Sequence, residues 1–169
     1  MVPAIVPVER LLAHTPQRAV GLTGIRAYPN GFGFTLHLRL RELIPGEQTH
    51  FGIIDGDIDP SGEFAAYYFR VGVGFADGRK ATNVDGRHWS FDEAERPPPV
   101  LSTSSGQGHD SRGLDLGFWV WGLPPSGPLV FVCEWAARQI PESRVQVDAA
   151  LVLEAAGRAR TIWPGEAPL

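Results

Sequence analysis

The strongest constraint in this chain is residues 32–41, where Phe32, Phe34, Leu36, Leu38 and Leu40 alternate with Gly33, Thr35, His37, Arg39 and Arg41. Successive side chains of a strand point to opposite faces, so this period of two predicts a strand with one buried and one wet face. Pro29, Asn30 and Gly31 lie just before it. They suit a tight turn, because Asn and Gly tolerate the positive φ that such turns require. Residues 19–28 are then the expected hairpin partner, and a weaker strand is expected over 8–13.

The same reading extends down the chain. Phe69, Val71, Val73 and Phe75 alternate and end at Asp77-Gly78, which predicts a second strand, a turn, and a return over 79–83. Pro97, Pro98 and Pro99 cannot sit in a central strand but can lead into an edge strand at 100–103. Two apolar runs, 114–121 and 129–135, flank the Pro- and Gly-rich segment 123–128 and read as a wide hairpin. A short strand is expected at 144–147.

One helix is expected, over 149–160. Asp148 can cap it, since its carboxylate can accept from first-turn amides. Leu151, Val152, Ala155, Ala156 and Ala159 supply an apolar face, and Glu154 with Arg158 forms a favourable i,i+4 pair. Gly157 weakens the last turn and Pro164 stops the helix. The 20 Gly and 15 Pro fit many short strands and turns better than a helical protein. The expected fold is thus a single mainly-β domain over 1–169. It is a two-sheet β-sandwich of immunoglobulin-like shape, with about seven to nine strands and one C-terminal α-helix. A closed barrel is the alternative. Residues 44–64 and 102–113, polar and Gly-containing, read as the least ordered stretches.

Charge and cysteine usage exclude some functions. A net charge of −4 argues against a nucleic-acid binder, which carries a basic excess to neutralise phosphates. Lys80 is the only lysine among the 15 basic residues, a bias that suits a GC-rich genome. Cys133 is the only cysteine, so no internal disulfide can form. The N-terminal stretch lacks a basic n-region and is broken by Pro3, Pro7 and Glu9, unlike a signal peptide. No apolar run is long enough to span a membrane, which makes a cytoplasmic location the expectation.

Four features suggest chemistry. Asp55, Asp57 and Asp59 alternate as at the start of a calcium loop, but Pro60 and Ala66 replace the Gly and Glu that such a loop needs. An acidic solvated loop tip is the plainer reading. Residues 102–113 contain Gly106, Gly108, His109, Asp110 and Arg112, whose amides and guanidinium could cradle an anion. A connecting loop is the plainer reading there too. Cys133 reads as a small buried hydrophobe, and the five histidines, His14, His37, His50, His88 and His109, lack metal-ligand spacing. Finally, Phe118, Trp119, Val120 and Trp121 put bulky residues on both faces of one strand. Either the C-terminal helix or N-terminal segment covers the second face, with Trp163 packing there, or an open tryptophan face binds a protein or a sugar.

The segments Phe118-Trp-Val-Trp121, Val130-Phe-Val-Cys-Glu-Trp135 and Phe75-Ala-Asp-Gly-Arg-Lys-Ala-Thr-Asn83 resemble a family of small bacterial proteins from GC-rich genomes. The likeness runs from about residue 11 to 163. In many of those relatives residues 104–113 form a nearly pure glycine run, where this chain has Gln107, His109, Asp110 and Arg112. The resemblance implies a stable compact fold and brings no known reaction or cofactor.

The leading functional expectation is a non-enzymatic interaction domain that binds a protein partner. Trp119 and Trp121, or His109, Asp110 and Arg112 of the 102–113 loop, would form the contact. The alternative is an enzyme or small-molecule-binding protein in which His109, Asp110 and Arg112 converge with His50 or His88, with a metal such as calcium at Asp55, Asp57 and Asp59. Self-assembly through an edge strand is a third course.

Overall fold

In the computed structural model of the protein, residues 1–42, 68–84, 98–110 and 112–163 are described below. The alternating segment forms β4 (Gly31–Leu40) and pairs antiparallel with β3 (Arg18–Tyr28) across the turn at Pro29 and Asn30, although neither Asn30 nor Gly31 takes the expected positive φ. Phe32, Phe34, Leu36 and Leu38 are buried, while Thr35 and His37 are half-buried on the opposite face, as the pattern demands. Two short N-terminal strands, β1 (Ala4–Ile5) and β2 (Arg10–His14), also pair with β3.

The second hairpin is β5 (Arg70–Gly74) and β6 (Lys80–Thr82), turning at Asp77-Gly78 as expected. The Asp77 carboxylate accepts from the Arg79 amide at 3.1 Å, and the Asn83 side chain bonds Val71 N and Phe69 O, both at 2.8 Å, closing the return strand.

Residues 102–113 depart from the expected loop. β7 (Val100–Asp110) pairs antiparallel along β8 (Gly113–Trp121), with two bulges. The partner strand explains this: once β8 is fixed by β4, it offers a free row of amides and carbonyls, and an edge strand need not be apolar on its wet side. Leu101, 7% exposed, supplies the inward anchor.

The wide hairpin is also corrected. β8 belongs to a six-stranded sheet ordered β1-β3-β4-β8-β7 with β2 attached to β3. β9 (Pro128–Trp135) belongs to a four-stranded sheet ordered β10-β9-β5-β6, where β10 is Ile140–Asp148. Residues 122–127 therefore cross between sheets. Both runs are apolar because both face one core, which sequence proximity alone mimics as pairing.

The two separate antiparallel sheets form a β-sandwich, not a closed barrel. Phe131 of β9 meets Phe34 and Phe32 of β4 edge-to-face at 5.0 and 6.4 Å, and Phe34 stacks on Phe118 at 5.3 Å. These rings join the sheets through contacts of the kind that add about 0.5–1.5 kcal/mol beyond burial.

The helix α1 (Ala149–Arg158) starts at Asp148, whose carboxylate accepts from Ala150 N at 2.9 Å, and carries the Glu154–Arg158 pair at 2.7 Å. It buries Ala149, Val152, Ala155 and Ala156, but Leu151 is exposed and leaves the expected apolar face. The helix packs against β1, β3, β4 and β10. β8 is not among these partners, so of the covers expected for the Trp119/Trp121 side the helix is not the one.

Candidate functional site

Because side chains alternate along each strand, the six-stranded sheet has an outward face built from the residues that the core rejects. In β8 these are Asp115, Gly117, Trp119 and Trp121, and in β4 they are Gly31, Gly33, Thr35, His37 and Arg39. Register places Gly33 against Trp119, Thr35 against Gly117, and His37 against Asp115. On the far side of β4, Thr23 lies against Thr35, and Tyr28 against Gly31. One end of the face is therefore aromatic, the middle is floored by glycine, and the other end is polar.

At the aromatic end, Trp121 is 46% exposed and Trp119 half-buried. Trp119 lies down along β4. A Cβ added at Gly31 would come within 2.8 Å of its Cζ2, and one added at Gly33 within 3.8 Å of its Cε3, so opposite ends of the six-membered ring rest over the two glycines. Any larger residue at Gly31 would push the ring away. Tyr28 stands beside the indole with centroids 5.3 Å apart and planes at 73°. The result is a flat aromatic floor with an upright wall.

At the polar end, four side chains form a chain of hydrogen bonds. Thr23 Oγ1 lies 2.6 Å from His37 Nε2, His37 Nδ1 lies 2.8 Å from Asp115 Oδ1, and Arg39 Nη1 lies 2.6 Å from the same oxygen. Partial burial pushes the Asp115 carboxyl up, but hydrogen bonds from Arg39 and His37, with their charge, outweigh this and hold it below its ordinary value. Asp115 thus stays ionised at neutral pH and fixes the imidazole's orientation.

The residues proposed from sequence divide cleanly. Trp119 and Trp121 share this face. His109 and Asp110 fall in β7, in register with Leu114 and Gly113, rather than in a loop. Arg112 sits at the β7–β8 turn, where its carbonyl accepts from Leu40 N at 2.7 Å. With Arg18, Arg39 and Arg138 it borders a shallow depression at the end of the sandwich beside Trp135. Asp55, Asp57 and Asp59, and with them His50 and His88, lie outside the described residues. Among the described residues, no three His, Cys, Asp or Glu side chains are placed to hold a metal, and no helix is long and apolar enough to cross a membrane. Cys133 is buried in β9, and burial pushes its thiol up to about 12.

The sequence reading missed Thr23, Tyr28, Arg39 and Asp115 as site residues. It did place His37 on the wet face, and that was the available signal. Which strand would lie beside β4 was not readable, and Asp115 is 78 residues away from His37.

No family model, curated protein or solved structure matches this chain.

Proposed function

We propose that this protein is a non-enzymatic binding domain whose recognition surface is the outward face of the six-stranded sheet, centred on Tyr28, Trp119 and Trp121. The observation that carries the reading is the exposure of Trp121 beside an indole laid flat on Gly31 and Gly33. Trp121, 46% exposed, leaves apolar surface in water, which a bound partner would remove. The sheet beneath is held by paired strands on both sides of β4 and β8, so the face is ordered before binding and little ordering entropy is lost. Within this proposal, the aromatic strand and not the 102–113 segment makes the contact. Membership of the small bacterial family that the sequence resembles, an immunoglobulin-like strand arrangement and a cytoplasmic setting belong to the same proposal.

The test is retention of extract macromolecules by immobilised tagged protein, with a Trp121→Ala variant in parallel. Trp121 is 46% exposed and lies outside the core, so the variant should stay folded, which urea denaturation checks. Retention that the variant loses supports the reading. Retention that survives in Trp121→Ala and in Trp119→Ala refutes it.

One observation favours a second reading. The Thr23–His37–Asp115 order is that of a hydroxyl activated by an imidazole and oriented by a carboxylate. Thr23 would then be a nucleophile, and acylation by p-nitrophenyl acetate that Thr23→Val abolishes would support it. The binding reading is preferred because the chain of groups lies on an open sheet face, whereas acyl transfer relies on an enclosed site that excludes water.

A further inference from the structure

We infer that the ligand of this face is a carbohydrate chain, an inference that rests on the binding reading above. A pyranose ring has flat apolar faces of C–H groups and an equator of hydroxyls. It therefore needs a flat aromatic surface with hydrogen-bonding groups around it, on a track open enough for a chain to run through.

The sheet face has each part. Trp119, half-buried, presents one indole face downward to Gly31 and Gly33, so a sugar ring would use the opposite face, and Tyr28 meets it at 73°. Trp121, two residues further along β8, continues the aromatic surface. Polar groups surround it in register: Ser102 lies against Trp119 on β7, and Arg26 lies against Gly33 on β3. Beyond Gly117 and Thr35, the track reaches the Thr23–His37–Asp115–Arg39 chain. Between Gly31 and Arg39 the face runs about 27 Å at roughly 3.4 Å per residue. That accommodates several sugar rings in line.

Area and charge weigh against a protein partner. A stable protein interface buries about 800 Å² on each side around an apolar centre. Tyr28, Trp119 and Trp121 are each partly covered, and fully buried aromatics contribute only about 150–250 Å² apiece. Beyond β3 the face adds the exposed Ile5 of β1 and Leu11 of β2, and between these and the aromatic cluster its described residues are mostly glycine and polar side chains. Asp115 is paired with Arg39, so neither offers a free charge to steer a charged partner, and among the described residues Arg26 adds a further exposed cation to this face. Neutral sugars fit that balance, and a uronate would use Arg26.

The experiment is native affinity electrophoresis of the full chain through gels containing β-1,4-glucan, xylan, galactomannan, α-1,4-glucan or polygalacturonate. Wild type should be retarded by at least one polymer. Retardation by polygalacturonate alone, lost in Arg26→Ala, marks the uronate source, whereas retardation by an uncharged polymer marks the neutral one. Trp121→Ala and Trp119→Phe should weaken the interaction at least tenfold, and Trp163→Ala, at an exposed indole beyond α1, should leave it unchanged. Using the conservative Trp119→Phe beside the surface Trp121→Ala keeps loss of binding separate from loss of fold. Absence of retardation by every polymer overturns the carbohydrate assignment, as does retardation equal in wild type and both variants. The retention assay separates the two levels. Retained material that depends on Trp121 but is destroyed by protease and not by periodate overturns the carbohydrate assignment while leaving the binding face intact. Retention independent of Trp121 and Trp119 overturns both.

Discussion

Replacing Gly31 by Ala, with Gly33→Ala as its partner experiment, probes the laid-down indole directly. A Cβ at Gly31 would overlap the backbone carbonyl oxygen of Val120 and come 2.8 Å from Trp119 Cζ2 and 3.3 Å from Cη2. The carbonyl belongs to β8, which is paired to β4 along Gly31–Arg39, so it cannot retreat without disturbing that ladder. Inserting a methyl into such a site costs about 1–3 kcal/mol. Against that, Gly→Ala recovers about 0.4–1 kcal/mol by restricting the unfolded chain where the native backbone suits Ala. The net expectation for Gly31→Ala is a loss of about 1–2 kcal/mol.

At Gly33 the nearest atoms to an added Cβ are Phe118 O at 3.4 Å and Trp119 Cε3 at 3.8 Å, which is ordinary contact. Gly33→Ala should therefore be neutral or stabilising by up to about 0.5 kcal/mol. Urea denaturation at neutral pH reads both, and a chain of this size should show roughly 2–4 °C in Tm for each kcal/mol. Near-ultraviolet circular dichroism should change in Gly31→Ala as the Trp119 ring leaves its seat, and stay unchanged in Gly33→Ala. Equal stability of the two variants would refute the reasoning, as would an unaltered Trp119 signal in Gly31→Ala.

Three further outcomes follow from the same geometry. Phe131→Ala should cost about 3–5 kcal/mol in urea denaturation, because the ring is fully buried and joins β9 to Phe32 and Phe34 of β4; a loss below about 2 kcal/mol would contradict that role. Asp115 has a folded-state value below its ordinary 3.8, so its stabilisation is complete above that value and disappears as pH falls through the folded one. Asp115→Asn should accordingly lower stability at pH 7 by about 0.5–1 kcal/mol and flatten the loss of stability below pH 4, measured by denaturation from pH 2.5 to 7. The Cys133 thiol, raised to about 12 by burial, should resist Ellman's reagent at pH 8 in the native protein and react at once in denaturant.

Local patterns in the sequence revealed most of the strands. Alternation in β4 and β5, the turn residues at Asn30 and Gly78, and the Asp148 cap each act within a few residues, so each is visible without knowing the fold. Pairing between distant strands is different in kind. β8 is followed at once by β9, yet it pairs with β4 and β7, and nothing local distinguishes a hairpin from a crossover between sheets. The same limit hid the candidate site. Trp119 and Trp121 stood out by size, but the glycines beneath Trp119 and the Thr23, His37 and Asp115 chain exist only once β3, β4 and β8 lie side by side. Composition misled at 102–113, since Ser and Gly mark loops and polar edge strands alike. The short β1 strand carries no repeating pattern and was not readable at all.

Site-resolved indole oxidation, with and without bound ligand, tests the central claim most directly. N-bromosuccinimide attacks accessible indoles, and mass spectrometry assigns oxidation to each tryptophan. In the free protein, Trp121 and Trp163 should oxidise fastest, Trp119 more slowly, and the buried Trp135 last. With the retarding polysaccharide present, Trp121 and Trp119 should be protected while Trp163 keeps its free rate. Protection confined to Trp163, or unchanged rates at Trp119 and Trp121 under saturating ligand, would contradict the outward face of the six-stranded sheet as the binding surface.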